Sequence, residues 1–420
     1  MFEKTTLPNG LRIISSNMPH TKSVAINIYV GAGSRYETEE EAGISHYLEH
    51  MLFKGTEKYP TSKEITEAVE RGGGYMNAAT DKEMTVYWCK VARPDFKSAV
   101  DVMTDIYLHS RFDKKDWEKE RQVIIEELAS TDDQPQQIVD LMIDELVWPG
   151  HPLGRDIGGS KESVSHLMPK TAIKYMAEQY VPNNTVISVA GNITHKEVVD
   201  NFAKHMGSMK RAAIRKYNPA VDGQLKPRLK FDTRKTEQAH VCIAMRGISS
   251  VSPERYSLDM LNTIFGEGMS SRLFMEIREK LGLAYEVHSG VTHYRDTGSV
   301  VIYAGIDPRS TPKAISGIMG QIKKIKKPVK PEELKKAKDL SKGRMLLRME
   351  DTRAVAGWAG VQELLLDEVK EVEDVIKKID KVKVDDMEEI ASKLMRTDKM
   401  SLAIVGAPAP EARLEDLLSV

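Results

Sequence analysis

Two histidines and a glutamate in the segment Gly43-Ile44-Ser45-His46-Tyr47-Leu48-Glu49-His50-Met51-Leu52-Phe53 have the types and the spacing to do chemistry. On a helix, residues four apart lie one turn apart on the same face, so His46 and His50 project together. Two imidazole nitrogens placed in this way can reach one Zn²⁺ at roughly 2.0–2.1 Å. Glu49 then stands beside the open coordination position, where a carboxylate can take a proton from a water whose pKa the metal lowers towards roughly 7. The pattern is His-x-x-Glu-His, the inverse of the zincin His-Glu-x-x-His. The neighbouring Ile44, Leu48, Leu52 and Phe53 make the helix half-buried, and a buried histidine pair without a partner would be costly.

Catalytic zinc takes three protein ligands, so a third must come from elsewhere. The segment Trp117-Glu118-Lys119-Glu120-Arg121-Gln122-Val123-Ile124-Ile125-Glu126-Glu127-Leu128 offers carboxylates on a second helix. Glu120 and Glu127, seven apart, share a face across two turns, and Glu126 points elsewhere. One of them can bind the metal while the other holds a ligating histidine from behind. On spacing alone, these carboxylates read as a solvated charged face.

The elements that must carry these residues are legible in outline. Strands are expected at Leu11–Ser15, Val24–Val30, Tyr75–Ala79, Met84–Val91 and Thr185–Ala190, bounded by turn signals such as Pro8-Asn9-Gly10 and Gly72-Gly73-Gly74. Helical periodicity covers Gly43–Phe53, Ser62–Arg71, Phe96–Leu108, Lys114–Ala129, Gln136–Val147, Lys170–Gln179 and His195–Met209. The order then recurs. Ala239–Met245 followed by Gly247 repeats Val24–Val30 followed by Gly31 at an offset of 216, and Val301-Ile302-Tyr303 repeats Thr85-Val86-Tyr87. Two such halves predict a duplicated α+β fold, each domain a mixed, mainly antiparallel sheet covered by helices. The domains are expected at residues 1–210 and 228–420, joined by a polar linker at 211–227.

Composition limits the alternatives. With 61 basic and 62 acidic residues among 420, the chain has no global charge to draw it to nucleic acid or to an anionic membrane. No apolar run approaches the roughly 20 residues of a membrane span. Cys89 and Cys242 lie in strand-like apolar runs and read as buried reduced thiols. The N-terminus has neither an apolar signal region nor an Arg-rich amphipathic pattern, which predicts a cytoplasmic protein.

The run His46 to Gly55, followed by Glu-x-x-Val-Ile-x-x-Glu at Glu120 to Glu127, closely resembles the pitrilysin and mitochondrial-processing-peptidase family of zinc metallopeptidases. Gly72 to Tyr87 and Gly266 to Tyr285 also look like family motifs, so the resemblance spans nearly the whole chain. It implies that His46, His50 and Glu127 bind one Zn²⁺ per chain, that Glu49 is the general base and that Glu120 supports a ligand. Gly73-Gly74-Tyr75-Met76-Asn77-Ala78-Ala79-Thr80 resembles the family's edge strand, which accepts a peptide as an added β-strand. Asn77 and Ala78 would then sit nearest the scissile bond, with Phe53 lining a neighbouring side-chain pocket. Arg278 and Tyr285, in Arg278-Glu279-Lys280-Leu281-Gly282-Leu283-Ala284-Tyr285, resemble the family's Arg/Tyr pair, which hydrogen-bonds substrate carbonyls and the oxyanion. At the offset of 216, His46 and His50 fall on Asn262 and Gly266, so the second half is expected to hold no metal. His288 and His293 match no motif and read as surface or packing residues.

The function implied is a zinc metalloendopeptidase acting on unfolded peptides or protein extensions. Because the chain keeps both the zinc motif and the Arg/Tyr pair, the resemblance implies a homodimer whose active site is completed by the partner chain. The alternative is a non-catalytic scaffold of the same fold.

Overall fold

The computed structural model describes residues 2–407 and residue 418. In chain order come β1 (Glu3–Thr6), β2 (Arg12–Asn17), β3 (Ser23–Val30), α1 (Ile44–Met51), α2 (Ser62–Glu70), β4 (Tyr75–Thr80), β5 (Thr85–Ala92), α3 (Phe96–His109) and α4 (Lys114–Asp132). They are followed by α5 (Pro135–Val147), α6 (Lys161–His166), α7 (Pro169–Gln179), β6 (Thr185–Gly191) and α8 (His195–Met206). The remainder forms β7 (Arg228–Thr233), β8 (Ala239–Arg246), α9 (Arg255–Phe265), a π-helix at Phe274–Lys280, β9 (Ala284–His293) and β10 (Gly298–Ile306). After it come α10 (Thr311–Ile325), α11 (Pro331–Arg348), α12 (Thr352–Leu366), α13 (Val372–Lys381), α14 (Val384–Leu394) and β11 (Ser401–Gly406).

Among the described residues the strands form two sheets, ordered β1-β2-β6-β3-β5-β4 and β7-β11-β8-β10-β9. Apart from β1 they have one plan. In each, a parallel pair (β2 with β6, β7 with β11) precedes a run of antiparallel pairs that ends on an edge strand, β4 or β9. The duplicated α+β architecture expected from the repeat is thus the observed one.

In β3, Val24, Ile26 and Ile28 point to one face and Ala25 and Tyr29 to the other, all buried, so the strand is covered on both sides. The first face packs with Ile44, Tyr47 and Leu48 of α1, with α3 and with Val198 and Phe202 of α8. The second face meets α12: Tyr29 and Val186 cluster with Ala359 and Leu364, and Ala25 and Ala190 with Val355 and Ala356. In the second sheet, Cys242, Ala244, Ala403 and Val405 are covered by Ile138, Val139, Met142 and Ile143 of α5.

The compact units therefore differ from contiguous halves. One comprises Met1–Ala129, Asp156–Asn218 and Leu346–Glu371, the other Ser130–Arg155, Pro219–Met345 and Val372–Val420. Helices α5 and α12 are equivalent in the repeat, and each packs on the sheet of the opposite half. Amphipathic periodicity reports that a helix has a buried face, not which sheet receives it. The stretch expected as a linker is strapped down in its first part: Arg215 pairs with Glu41 and Glu178, and Arg35 lies over the Tyr217 ring at 4.2 Å. Cys89 and Cys242 are free, fully buried thiols, and burial pushes Cys89 up to about 12. No helix among the described residues is long and apolar enough to cross a membrane.

The contact of α12 with its sheet depends on Gly360. A Cβ there would lie 2.3 Å from Tyr29 Cε2 and 3.0 Å from Ser188 Cβ. In an exposed helix, Gly to Ala stabilises by about 1 kcal/mol. Here overpacking reverses the sign, and Gly360→Ala is expected to destabilise by about 1–3 kcal/mol, read as a lower thermal midpoint.

Candidate active site

Helix α1 begins at Gly43, whose φ of +92° places it in the left-handed region and whose Cβ, if present, would stand 2.4 Å from the Gly158 carbonyl oxygen. The Glu37 carboxylate accepts hydrogen bonds from the Gly43 and Ser45 N–H groups, both at 2.8 Å, satisfying donors that the helix start leaves open. Ile44, Tyr47, Leu48 and Met51 are fully buried. That fixes the opposite arc, with His46, Glu49 and His50, towards the site.

Tyr47 is the joint with α4. Its ring stacks on Trp117 at 4.0 Å and 13°, and its hydroxyl donates to the Trp117 carbonyl. Along α4 the buried positions are Trp117, Glu120 and Ile124, a single stripe on an otherwise polar helix, and Glu127 continues it. The stack therefore sets the height at which Glu120 and Glu127 face α1.

His46 Nε2 lies 3.8 Å from Glu127 Oε2, and His50 Nε2 lies 3.5 Å from the same oxygen. The three donor atoms fall within 4.8 Å of one another. Ligands at roughly 2.0–2.1 Å from a tetrahedral zinc stand about 3.3–3.4 Å apart. The observed spacings are too long for hydrogen bonds and close to those of ligands sharing one ion, so His46, His50 and Glu127 fit zinc. The cluster takes in Glu127, and Glu126 lies outside it.

Glu120 is held behind the cluster, its side chain only 3% exposed. Its Oε2 lies 3.1 Å from His50 Nδ1 and its Oε1 lies 2.7 Å from Lys54 Nζ. Burial opposes its ionisation, but the hydrogen bonds from His50 and Lys54 outweigh that and hold the carboxyl below its ordinary pKa. A charged Glu120 keeps the proton of His50 on Nδ1 and leaves the Nε2 lone pair for a metal. His46 is pushed down by burial first and by His50 second, which favours the neutral, ligating ring. Its Nδ1 is buried without a hydrogen-bond partner among the described residues.

Glu49 accepts a hydrogen bond from Thr80 Oγ1 at 2.6 Å. Thr80 ends β4, the edge strand of its sheet, so the candidate base is tied directly to the strand expected to take the peptide. On that strand Asn77 is exposed, and its Oδ1 accepts from the Ala78 N–H at 2.8 Å, which marks that N–H as turned to the open side. Phe53 is half-buried against the core and 6.2 Å from the Tyr87 ring. Thr80 and Lys54 carry roles that sequence reasoning did not assign, although both lie within the motifs it quoted.

In the other unit, Arg278 sits in the π-helix and Tyr285 opens β9, the edge strand of the second sheet. The Arg278 guanidinium lies 5.0 Å from the Tyr285 ring centroid and 4.8 Å from that of Phe274, so the pair is brought together. Tyr285 is 75% exposed. A π-helix inserts a residue into the helical register and is common at functional sites. At the positions equivalent to the histidines, Asn262 Oδ1 accepts from Ser289 Oγ at 2.6 Å and Gly266 ends α9. His293 is held between Asp259 and the Ile248 carbonyl, in keeping with a packing role.

Comparison with known proteins identifies the family. The family model described as Insulinase (Peptidase family M16) matches residues 12–161, and that described as Peptidase M16 inactive domain matches 169–341. The uncharacterized zinc protease YmxG of Bacillus subtilis is 36% identical over 410 residues, covering 96% of this chain and 98% of its own length. The chain belongs to peptidase family M16. Its fold is that of a protease from Helicobacter pylori (TM-score 0.91, 24% identity, 97% and 99% of the two chains). It is also that of a chain in complex III2 from Candida albicans (TM-score 0.83, 19% identity, all of both chains).

In this M16 chain, Glu120→Gln removes the charge that holds His50. Zinc affinity is expected to fall about 10–100-fold, measured by competition with a chromogenic chelator, with the fold intact by circular dichroism.

Proposed function

We propose that this M16 chain is a zinc-dependent metalloendopeptidase that cuts unfolded peptides or protein extensions. The observation that carries the reading is one juxtaposition. Three metal donors converge within 4.8 Å, and the carboxylate of Glu49, on the same helix as two of them, is hydrogen-bonded to the end of an open edge strand. Bound there, zinc would polarise the scissile carbonyl and acidify a water at neutral pH.

The remaining work falls to side chains and backbone of this protein. Among the described residues β4 pairs only with β5, which leaves its outer edge to take an extended peptide, gripping main chain with little regard for sequence. The Asn77 amide, now on the Ala78 N–H, gives way to the peptide carbonyl as the strand adds. Thr80 occupies Oε2 of Glu49, leaving Oε1 to take the proton of the attacking water and return it to the departing amide nitrogen. Arg278 and Tyr285 supply donors for the carbonyl oxygens of the substrate and the negative charge that develops on attack.

We further propose that the active protein is a homodimer in which the Arg278 and Tyr285 of one copy serve the zinc site of its partner. The exposure of Tyr285 and its pairing with Arg278 at a sheet edge support this reading. A scaffold role has no need of the four residues His46, Glu49, His50 and Glu127, all of which are present, three of them converging within 4.8 Å.

Glu49→Gln is expected to lower turnover of quenched-fluorescence peptides by about 10²-fold or more while zinc stays bound, checked by metal analysis of the same sample. Retained turnover in that variant would sink the mechanism. Mixing Glu49→Gln chains with Arg278→Ala chains is expected to restore part of the activity. No recovery after subunit exchange would overturn the shared site.

A further inference from the structure

We propose that the exposed face of β4, beside Trp88 of β5, carries a subsite for an acidic side chain of the bound peptide, with Arg353 as its cation. The inference rests on the peptidase reading above and adds a substrate preference to it.

On the face away from α1, β4 presents Tyr75, Asn77 and Ala79, all exposed. Their partners across β5 are Lys90, Trp88 and Val86, so Trp88 shares that face directly opposite Asn77. The Trp88 indole is bracketed. Tyr75 meets it edge-on at 5.7 Å, and the guanidinium carbon of Arg353 stands 3.5 Å from the ring centroid. Stacking of this kind fixes a planar cation while leaving its N–H edge free to bind a carboxylate.

Arg353 has three further properties. It is exposed, and it makes no ion pair among the described residues. The neighbouring carboxylate, Asp351, is already engaged by Lys90 Nζ at 2.6 Å and caps the Ala354 N–H at 3.0 Å. Arg353 also lies in the first turn of α12, where the helix dipole disfavours a cation. A charge held against the dipole, stacked and without a partner, suits a ligand from outside. Arg348 likewise makes no ion pair among the described residues, and its charge, like that of Arg353, is felt by the buried Tyr29 phenol.

A peptide strand added to β4 stands one strand spacing, about 4.8 Å, beyond Asn77 and about twice that beyond Trp88. Its side chains alternate between faces. Those on the Asn77 face lean over the exposed row towards Arg353, and the others point to the Phe53 side. A glutamate reaches Arg353 better than an aspartate. The preference should therefore appear at alternate positions of the peptide and nowhere else.

The test separates binding from turnover. Fluorescent peptides capped at both ends, differing by Glu, Gln or Lys at successive positions, are titrated by anisotropy into the zinc-loaded Glu49→Gln chain. Wild-type turnover of the same peptides is measured in parallel. Glu is expected to bind about 3–10-fold more tightly than Gln at positions of one parity, and more weakly as salt rises. Arg353→Ala should bring the two to equal affinity, and Arg353→Lys should restore part of the preference. Equal affinity for Glu and Gln at every position, or a preference that survives Arg353→Ala, would overturn the subsite. Absent turnover by wild type would count against the peptidase reading, while the binding series would still decide the subsite.

Discussion

The Tyr47–Trp117 stack is the contact on which the His46–His50–Glu127 cluster depends. Zinc ligands on two helices must agree to within a few tenths of an ångström, yet α4 is polar along most of its length and has little apolar surface with which to hold its height. The stacked pair, both residues fully buried, sets that height one turn below Glu120. Such pairs contribute about 0.5–1.5 kcal/mol beyond the area they bury, but their directionality matters more here than their strength. Once Trp117 is seated, Glu120 is carried inside, where an unpaired charge would cost several kcal/mol. His50 and Lys54 meet it there, and Glu127 arrives two turns on at the mouth of the site.

The duplication shows how one frame serves two tasks. Both sheets end on a free edge strand reached by the same sequence of pairings. Beside β4 the neighbouring helix carries two histidines and the Glu49 carboxylate. Beside β9 the equivalent helix carries Asn262, spent on Ser289, and stops at Gly266. The second edge instead carries an exposed tyrosine and, through a π-helix, an arginine laid over it. One copy of the frame carries the histidine–carboxylate cluster that fits a metal, and the other presents an Arg/Tyr pair of hydrogen-bond donors.

Much of this was legible in the sequence because it rests on periodicity. The i, i+4 spacing put His46 and His50 on one face, the seven-residue spacing did so for Glu120 and Glu127, and the repeat at 216 foretold two sheets of one plan. Geometry alone left open which of Glu120 and Glu127 would face the metal, and family resemblance selected Glu127. Contacts that depend on which distant element arrives were not legible. Glu120 read as part of a solvated face until Trp117 carried it inside. Thr80 and Lys54 are ordinary polar residues until β4 and the end of α1 bring them to Glu49 and Glu120. The crossing of α5 and α12 was hidden for the same reason: their apolar faces are equally suited to either sheet.

That crossing has a consequence for how the protein is made. During synthesis the strands β1 to β6 are all available by residue 191, but the helix that covers their second face is not translated until residues 352–366. Until then, Ala25, Tyr29, Val186 and Ala190 lack the cover of α12. A nascent chain in this condition must either delay forming the sheet or hold an apolar surface open, and long-range closure of this kind is slow. Its arrival at the native state is therefore tied to chain completion, so that His46, His50 and Glu127, all within the first 127 residues, are translated long before the sheet beneath them can be closed.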